Sequence, residues 1–315
     1  MRWIALLLLA ACEKDGADDP PADDTDPVDT DTVDTVDDGT VELEEVITVT
    51  EVSPGDLTCA GGDPATWAAP AIGAGCVEPV PLQGTIEDFQ SGDAVEGMQV
   101  EIFLGDDPDA AADFTATSDA SGTVTGGDIP TCTPFSSRAT NGADPDAPPA
   151  LQMHWSEAHT SPMNAFFNSV DSGTLSLMSA LLGVTADSNL GFSAGTIYGC
   201  DADRTPLAGA QVVLRSADGT YPSGQNIHYF IEDFPAREET QTSADGLFLI
   251  VNVPPGAYTI EAWAVASAGA APSLIASTTT RLYAGSLTVT DMYAGDADGV
   301  VLPSSCYAEC PPLGL

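Results

Sequence analysis

Two stretches of this chain carry the same plan of glycines, turns and alternating apolar residues, spaced by about 110 to 125 residues. The first reads PLQGTIEDFQSGDAVEGMQVEIFLG, with Gly84, a turn at Ser91-Gly92-Asp93, and Gly97 ahead of alternating Val100, Ile102 and Leu104. The second reads GTIYGCDADRTPLAGAQVVLRSADG, with Gly195 in the place of Gly84 and Gly209 in the place of Gly97. Alternation at period two lays one face of each strand on a core. A period this long indicates a duplicated domain, since solenoid repeats are far shorter. Each stretch continues with further strands between turns. SDASGTVTGGDIPTCTPFSSRAT turns at Ser121-Gly122, while TSADGLFLIVNVPPGAYTIEAWAVA turns at Asp245-Gly246 and again at Pro254-Pro255-Gly256. Short strands separated by Gly/Pro turns form the all-β sandwich pattern, and 30 glycines and 24 prolines suit it. The expected fold class is therefore all-β, with two small sandwiches.

The rest of the chain is assigned around these two modules. Residues 1–11 read as a signal peptide, 12–45 as a disordered Asp/Thr-rich linker, 46–148 as the first sandwich, and 191–315 as the second. Between them, 149–190 read as a short helical segment. There Ser161-Pro162 before Met163, Phe166 and Phe167 resembles a capped helical start, and LSLMSALLG sets Leu175, Met178, Leu181 and Leu182 on one face with Gly183 as a stop. In the linker almost no residue can build a core, and its aspartates recur within the ~8 Å Debye length of physiological salt, so the charges repel and extend the chain. Some thirty extended residues reach on the order of 100 Å. No register of the linker supplies an EF-hand pattern, and calcium binding and glycosylation both stay open.

Seven Lys and Arg stand against 48 Asp and Glu, a net charge of -41. Nucleic acid is excluded as a partner, because its binding needs cations to displace phosphate counterions. At the N-terminus, Leu9-Ala10-Ala11-Cys12 closes an apolar run from Ile4 that follows Arg2, and it resembles the lipobox of bacterial lipoproteins. That resemblance implies cleavage before Cys12, acyl chains on Cys12 and an exported protein held in the cell envelope, with Glu13 compatible with the outer membrane. The run is far short of the roughly 20 apolar residues of a spanning helix. Setting Cys12 aside leaves Cys59, Cys76, Cys132, Cys200, Cys306 and Cys310, an even set that suits three disulfides in an oxidising compartment. Six cysteines allow fifteen connectivities; Cys59 with Cys76 and Cys306 with Cys310 are the local expectation, which leaves Cys132 with Cys200 to join two segments distant in the chain.

The second module carries a more specific resemblance. Gly195-x-Ile197, Pro206-Leu207-Ala208-Gly209-Ala210, Asp245-Gly246-x-Phe248 and Asn252-Val253-Pro254-Pro255-Gly256-x-Tyr258-x-Ile260 resemble the carboxypeptidase regulatory-like domain. That family implies a prealbumin-like or Ig-like β-sandwich serving as an accessory, non-enzymatic module. The first module matches it less closely, having Ile129-Pro130-Thr131-Cys132 where the double-proline turn would stand. Ala217-Asp218-Gly219-Thr220-Tyr221 and Gly256-Ala257-Tyr258 also resemble part of the intradiol dioxygenase pattern. The iron site of that family needs a His-x-His pair after these motifs, and no histidine follows His228.

Candidate sites are few. His154, Glu157 and His159 are the metal candidates, yet they match neither HExxH nor HxxEH, and no third histidine stands at a characteristic distance. Asp296-Ala297-Asp298-Gly299 reads as a solvated turn that could ligate Ca²⁺. Tyr221, Tyr229, Phe230 and Phe234 fall in a long segment between strands, where aromatic rings either stack on a sugar or peptide or plug the sandwich end. The expectation is a lipid-anchored, non-enzymatic envelope protein without a cofactor. It would display modules that bind carbohydrate or protein, with a structural spacer as the alternative and a metal-dependent hydrolase as a remote one.

Overall fold

The computed structural model describes residues 40–61, 72–73, 76–89, 91–105, 107–155, 162–201, 203–232, 234–295 and 306. In chain order its elements are β1 (Thr40–Val41), α1 (Leu43–Val46), a 3-10 turn at Thr58–Ala60, β2 (Pro79–Asp88), β3 (Met98–Leu104), β4 (Phe114–Thr117), β5 (Thr123–Pro130), β6 (Pro134–Asn141), β7 (Ala150–Trp155), β8 (Met163–Ser169), α2 (Ser172–Leu182), β9 (Gly191–Tyr198), β10 (Ala210–Ser216), β11 (Tyr221–Pro222), β12 (Ile227–Ile231), β13 (Phe234–Ala236), β14 (Leu247–Val253), β15 (Gly256–Ala264), β16 (Ser273–Leu282), β17 (Leu287–Val289) and β18 (Met292–Tyr293).

The architecture is all-β, as the alternation predicts. In the first module β2 lies between β5, antiparallel, and β8, parallel, while β6 joins β3 and β7 in the facing sheet. In the second module β9 lies between β14, antiparallel, and β17, parallel, while β15 joins β10 and β16. The two modules thus share one topology, with β2, β3, β5, β6, β7 and β8 answering to β9, β10, β14, β15, β16 and β17. Each encloses its own apolar core, around Leu82, Ile86, Val100, Ile102 and Phe135 in the first and Ile197, Val212, Phe248, Ile250 and Ile260 in the second.

The duplication extends to individual hydrogen bonds. Ile86 N–H donates to the Gly122 carbonyl at 2.9 Å, and Ile197 N–H to the Gly246 carbonyl at 2.9 Å. Ser118 Oγ accepts from Met98 N–H and donates to the Val95 carbonyl; Thr242 Oγ1 accepts from Ala210 N–H and donates to the Leu207 carbonyl. Glycine is required at both turns. Gly122 and Gly246 have φ of 71° and 67°, and a Cβ on either would stand 2.6 Å from the Ile86 or Ile197 carbonyl oxygen.

The modules are joined through backbone. β17 pairs in parallel with β9 on one side and with β7 of the first module on the other, so the β3–β6–β7 sheet continues into β17, β9, β14 and β12. The chain also crosses between modules at its ends. Residues expected in the linker and the first sandwich pack on the second. Thr40 and Val41 pair with Pro222 and Tyr221, and the Gln211 side chain accepts from Thr48 and Val49 N–H and donates to the Val46 carbonyl. Ala60 enters the second core.

The disulfides follow this crossing. Cys59 bonds Cys200 and Cys132 bonds Cys306, with Cα–Cα distances of 5.5 Å in each. Cys76 is also disulfide-bonded, and Cys310 lies outside the described residues. The local pairs Cys59–Cys76 and Cys306–Cys310, and the pair Cys132–Cys200, are therefore corrected. Nearness in sequence misleads because segment 40–60 docks on the module that is farther along the chain.

The segment 149–190 also differs from expectation. Among the described residues of this segment one helix forms, α2, whose N-cap Asp171 accepts from Thr174 N–H and whose stop is Gly183 at φ 70°. Met178 and Leu182 are buried while Leu181 is exposed, so the buried stripe is narrower than the four residues predicted. Met163–Ser169 is a strand, with Met163, Phe167 and Ser169 inward. Its Met163, Phe166, Phe167 spacing imitates a helix, but parallel pairing with β2 decides its conformation.

Candidate functional site

A hollow lies at the joint of the modules, and the strand period explains its chemistry. Along β9, Ile197 points into the second core, while Phe192, Ala194, Thr196 and Tyr198 face the other way, toward the first module. Ala194 is small, which leaves the floor low, while Gly195 falls on the opposite face of the strand. A Cβ on Gly195 would come within 1.8 Å of the Thr290 carbonyl oxygen, so the close passage of this segment fixes the glycine. Leu175 and Met178 of α2 form one wall, and Phe166 and Asn168 of β8 another. The enclosed volume is about 260 Å³. Several of its apolar side chains keep accessible surface, Phe166 at 46% and Phe89 at 36%.

Outside this pocket the joint opens into a larger and more polar cleft of about 810 Å³, bounded by Asn164–Phe166 of β8 and Thr278–Arg281 of β16. Gln152, Phe166, Val289 and Asp291 border both spaces. Asp291 is the carboxyl group that lines the inner pocket. Its Oδ1 accepts from Thr196 N–H at 3.0 Å, and no arginine or lysine among the described residues forms an ion pair with it. Although it keeps some accessible surface, protein packs around the carboxyl on most sides, and desolvation raises its pKa above the ordinary aspartate value. Burial, and secondarily the Asp291 charge, push the Tyr198 hydroxyl up to about 12, so it stays protonated. Tyr198 stacks on Tyr293 at 5.0 Å, and the Arg204 guanidinium lies 4.4 Å over the other ring. Arg204 borders the outer cleft and not the inner pocket.

Of the described residues singled out from sequence as candidate sites, Phe230 lines the inner pocket and His154 borders the outer cleft, while Tyr221, Tyr229 and Phe234 border neither. His154 is buried, its Nε2 2.7 Å from Ser137 Oγ, stacked on Phe135 at 4.7 Å and edge-on to Phe167 at 5.0 Å. Desolvation lowers its pKa to about 3, so it is a neutral core ring. Glu157, His159, Cys12 and residues 296–299 lie outside the described residues, and among the described residues no three His, Cys, Asp or Glu groups gather to hold a metal. The four aromatics are not brought together. Tyr221 sits on β11 with its hydroxyl donating to Glu261, and Tyr229 is in the second core, where its hydroxyl oxygen accepts from Val212 N–H. Phe230 joins the cluster beneath α2, and Phe234 is 51% exposed. Neighbours on a strand point to opposite faces, which separates Tyr229 from Phe230. The expected long segment is instead three short strands.

Sequence reasoning missed Asp291. It stands in a Thr-rich run with no motif around it; the available signal was the run of small residues Ser193-Ala194-Gly195 in a strand otherwise flanked by large ones.

No protein-family model and no curated protein matches this chain. Among solved structures it is similar to the shaft pilin SpaA of Lactobacillus rhamnosus GG, with 13% identity over 72% of this chain and 100% of that one, at a TM-score of 0.25. It is also similar to GBS52, the minor pilin of Streptococcus agalactiae, with 13% identity over 71% and 98% and a TM-score of 0.22. For the Bacillus anthracis TIE protein the identity is 10% over 69% and 34%, with a TM-score of 0.23.

Proposed function

We propose that this chain is a non-enzymatic, lipid-anchored protein of the cell envelope, possessing a rigid two-module head that binds a ligand at the joint between its sandwiches. The observation that carries the reading is the joint itself. Backbone pairing of β17 with β7 welds the modules, and the hollow beside that pairing is a concave surface with mixed apolar and polar lining. The crossed ends and the Cys59–Cys200 and Cys132–Cys306 bonds hold the same arrangement. Anchoring rests on Leu9-Ala10-Ala11-Cys12, and the acidic linker after it supplies the reach.

A brace within the envelope is the second reading, favoured by the continuity of the sheet across both modules. Intact mass of the membrane-extracted protein tests the anchor. The expected result is a mature chain starting at Cys12 with added acyl mass, and Cys12→Ser should move the protein to the soluble fraction. An unacylated wild-type chain that still starts at Met1 would refute anchoring.

A further inference from the structure

We propose that the inner pocket at the joint is a binding site for a small apolar organic cation, an alkyl- or arylamine whose ammonium group pairs with Asp291. This deepens the reading of the head as a binder and rests on it; it is independent of the anchor.

Size comes first. A volume of about 260 Å³ lies just below the usual range for ligand pockets, so it suits a molecule of modest size and not an oligosaccharide. The lining gives the body of that molecule. Phe192, Phe230, Leu249, Leu287, Leu175 and Met178 offer no hydrogen bonds, which a sugar ring would need on most of its edges. Phe89, Phe166 and Ala194 retain exposed apolar surface that a hydrocarbon chain would cover.

Charge gives the head group. Asp291 has one oxygen satisfied by Thr196 N–H, and the pocket contains no arginine or lysine to neutralise the other. Elsewhere in the described residues the arginines are engaged: Arg138 with Glu101, Arg215 with Glu261, Arg281 with Asp109, Arg237 on the carbonyls that end α2, and Arg204 over Tyr293. A carboxylate in low-dielectric surroundings favours a cation strongly. Aromatic rings nearby, Phe166 and Tyr198, add faces on which an ammonium is attracted. The net charge of -41 raises the local concentration of cations and disfavours anionic analogues.

The test uses the purified full-length chain in detergent and three probes of equal length, hexylammonium, hexanol and hexanoate, titrated by calorimetry at pH 7.5. Hexylammonium should bind saturably at one site, at least tenfold tighter than hexanol, with hexanoate weakest. Asp291→Asn keeps an acceptor for Thr196 N–H, and it should erase the preference for the ammonium while leaving hexanol binding in place. Ala194→Phe should abolish both by filling the floor. Lowering the pH should weaken hexylammonium alone as Asp291 takes a proton. Equal affinity for hexylammonium and hexanol, an unchanged preference in Asp291→Asn, or no saturable binding of any probe by the folded wild-type chain would each overturn the proposal. Equal affinity for hexylammonium and hexanol would remove the amine while leaving the joint a binding site, whereas no saturable binding of any probe would count against both readings.

Discussion

His154 allows the clearest quantitative test of the first core. In the fold it is neutral down to about pH 3, because its ring lies between Phe135 and Phe167 with Ser137 as its hydrogen-bond partner. In the unfolded chain it titrates near 6.5. Its folded pKa is depressed, so the stability linked to it is complete above pH 6.5 and is lost as the pH falls toward 3. Each pH unit in that window costs about 1.4 kcal/mol, giving a loss of about 2 kcal/mol between pH 6.5 and 5. Urea unfolding at pH 7 and pH 5 measures the sum over all groups, including the carboxylates whose hydrogen bonds lower their pKa, Asp119, Asp144, Asp187, Asp201 and Asp218. Subtraction isolates His154. His154→Gln can still bond Ser137 but does not titrate, so its loss between the two pH values should be smaller than wild type by about 2 kcal/mol. Its overall stability will be lower at both, since the ring packing is gone. An equal acid loss in both proteins, or a His154 ring signal titrating above pH 5 by NMR, would refute the burial argument.

Asp291→Asn should raise the melting temperature of the ligand-free protein at pH 7.5, because a carboxyl with a raised folded pKa contributes stability below its unfolded pKa that is lost as pH rises through the folded value. At pH 3 the gain should vanish, and a variant no more stable than wild type at pH 7.5 would show that the carboxylate is well solvated. Gly195→Ala places a methyl 1.8 Å from the Thr290 backbone oxygen and should cost roughly 3 kcal/mol, read by chemical unfolding. Gly219→Ala, whose Cβ meets nothing but whose φ is 90°, should cost only about 1–2 kcal/mol. Thr242→Val leaves the Ala210 N–H and the Leu207 carbonyl without their shared partner and should cost about 2 kcal/mol, with Ser118→Ala costing a similar amount in the other module. A large difference between the last two would mean that the duplicated turns are not energetically equivalent.

The glycine, turn and strand pattern made the two modules legible because it is local. Gly84, Gly97 and Ser121-Gly122 mark the same places in the fold as Gly195, Gly209 and Asp245-Gly246, down to the hydrogen bonds they permit. What stayed hidden was set by contacts between distant segments. Residues 46–49 are assigned to the first sandwich from sequence, but Gln211 captures their backbone for the second. Met163–Ser169 has helical spacing and becomes a strand because β2 offers a free edge. The aromatics Tyr229 and Phe230 were conspicuous in sequence and fall in two separate clusters, with only Phe230 of the two lining the joint pocket, whereas Asp291 was inconspicuous and borders that pocket. A pocket formed by two modules depends on their docking, which no local pattern encodes.

The duplicated topology also accounts for the cleft. β7 and β8 end the two sheets of the first module on the side facing the second, and their counterparts β16 and β17 do the same for the second. Two edge pairings are available to such a joint, β7 with β17 and β8 with β16. The first forms, and the second does not: among the described residues β8 pairs with β2 alone and β16 with β15 alone, and they bound the cleft from opposite sides. Side chains from the closed pair explain how the open edges stay open. Gln152 of β7 accepts from Asn168 N–H and from the Asn168 amide, and Thr288 of β17 donates to the Arg281 carbonyl. Backbone groups that would otherwise seek a partner strand are thereby satisfied within the joint. The same Gln152 borders both the inner pocket and the outer cleft, so the residue that caps the β8 edge stands where the two spaces meet, as Asp291 does.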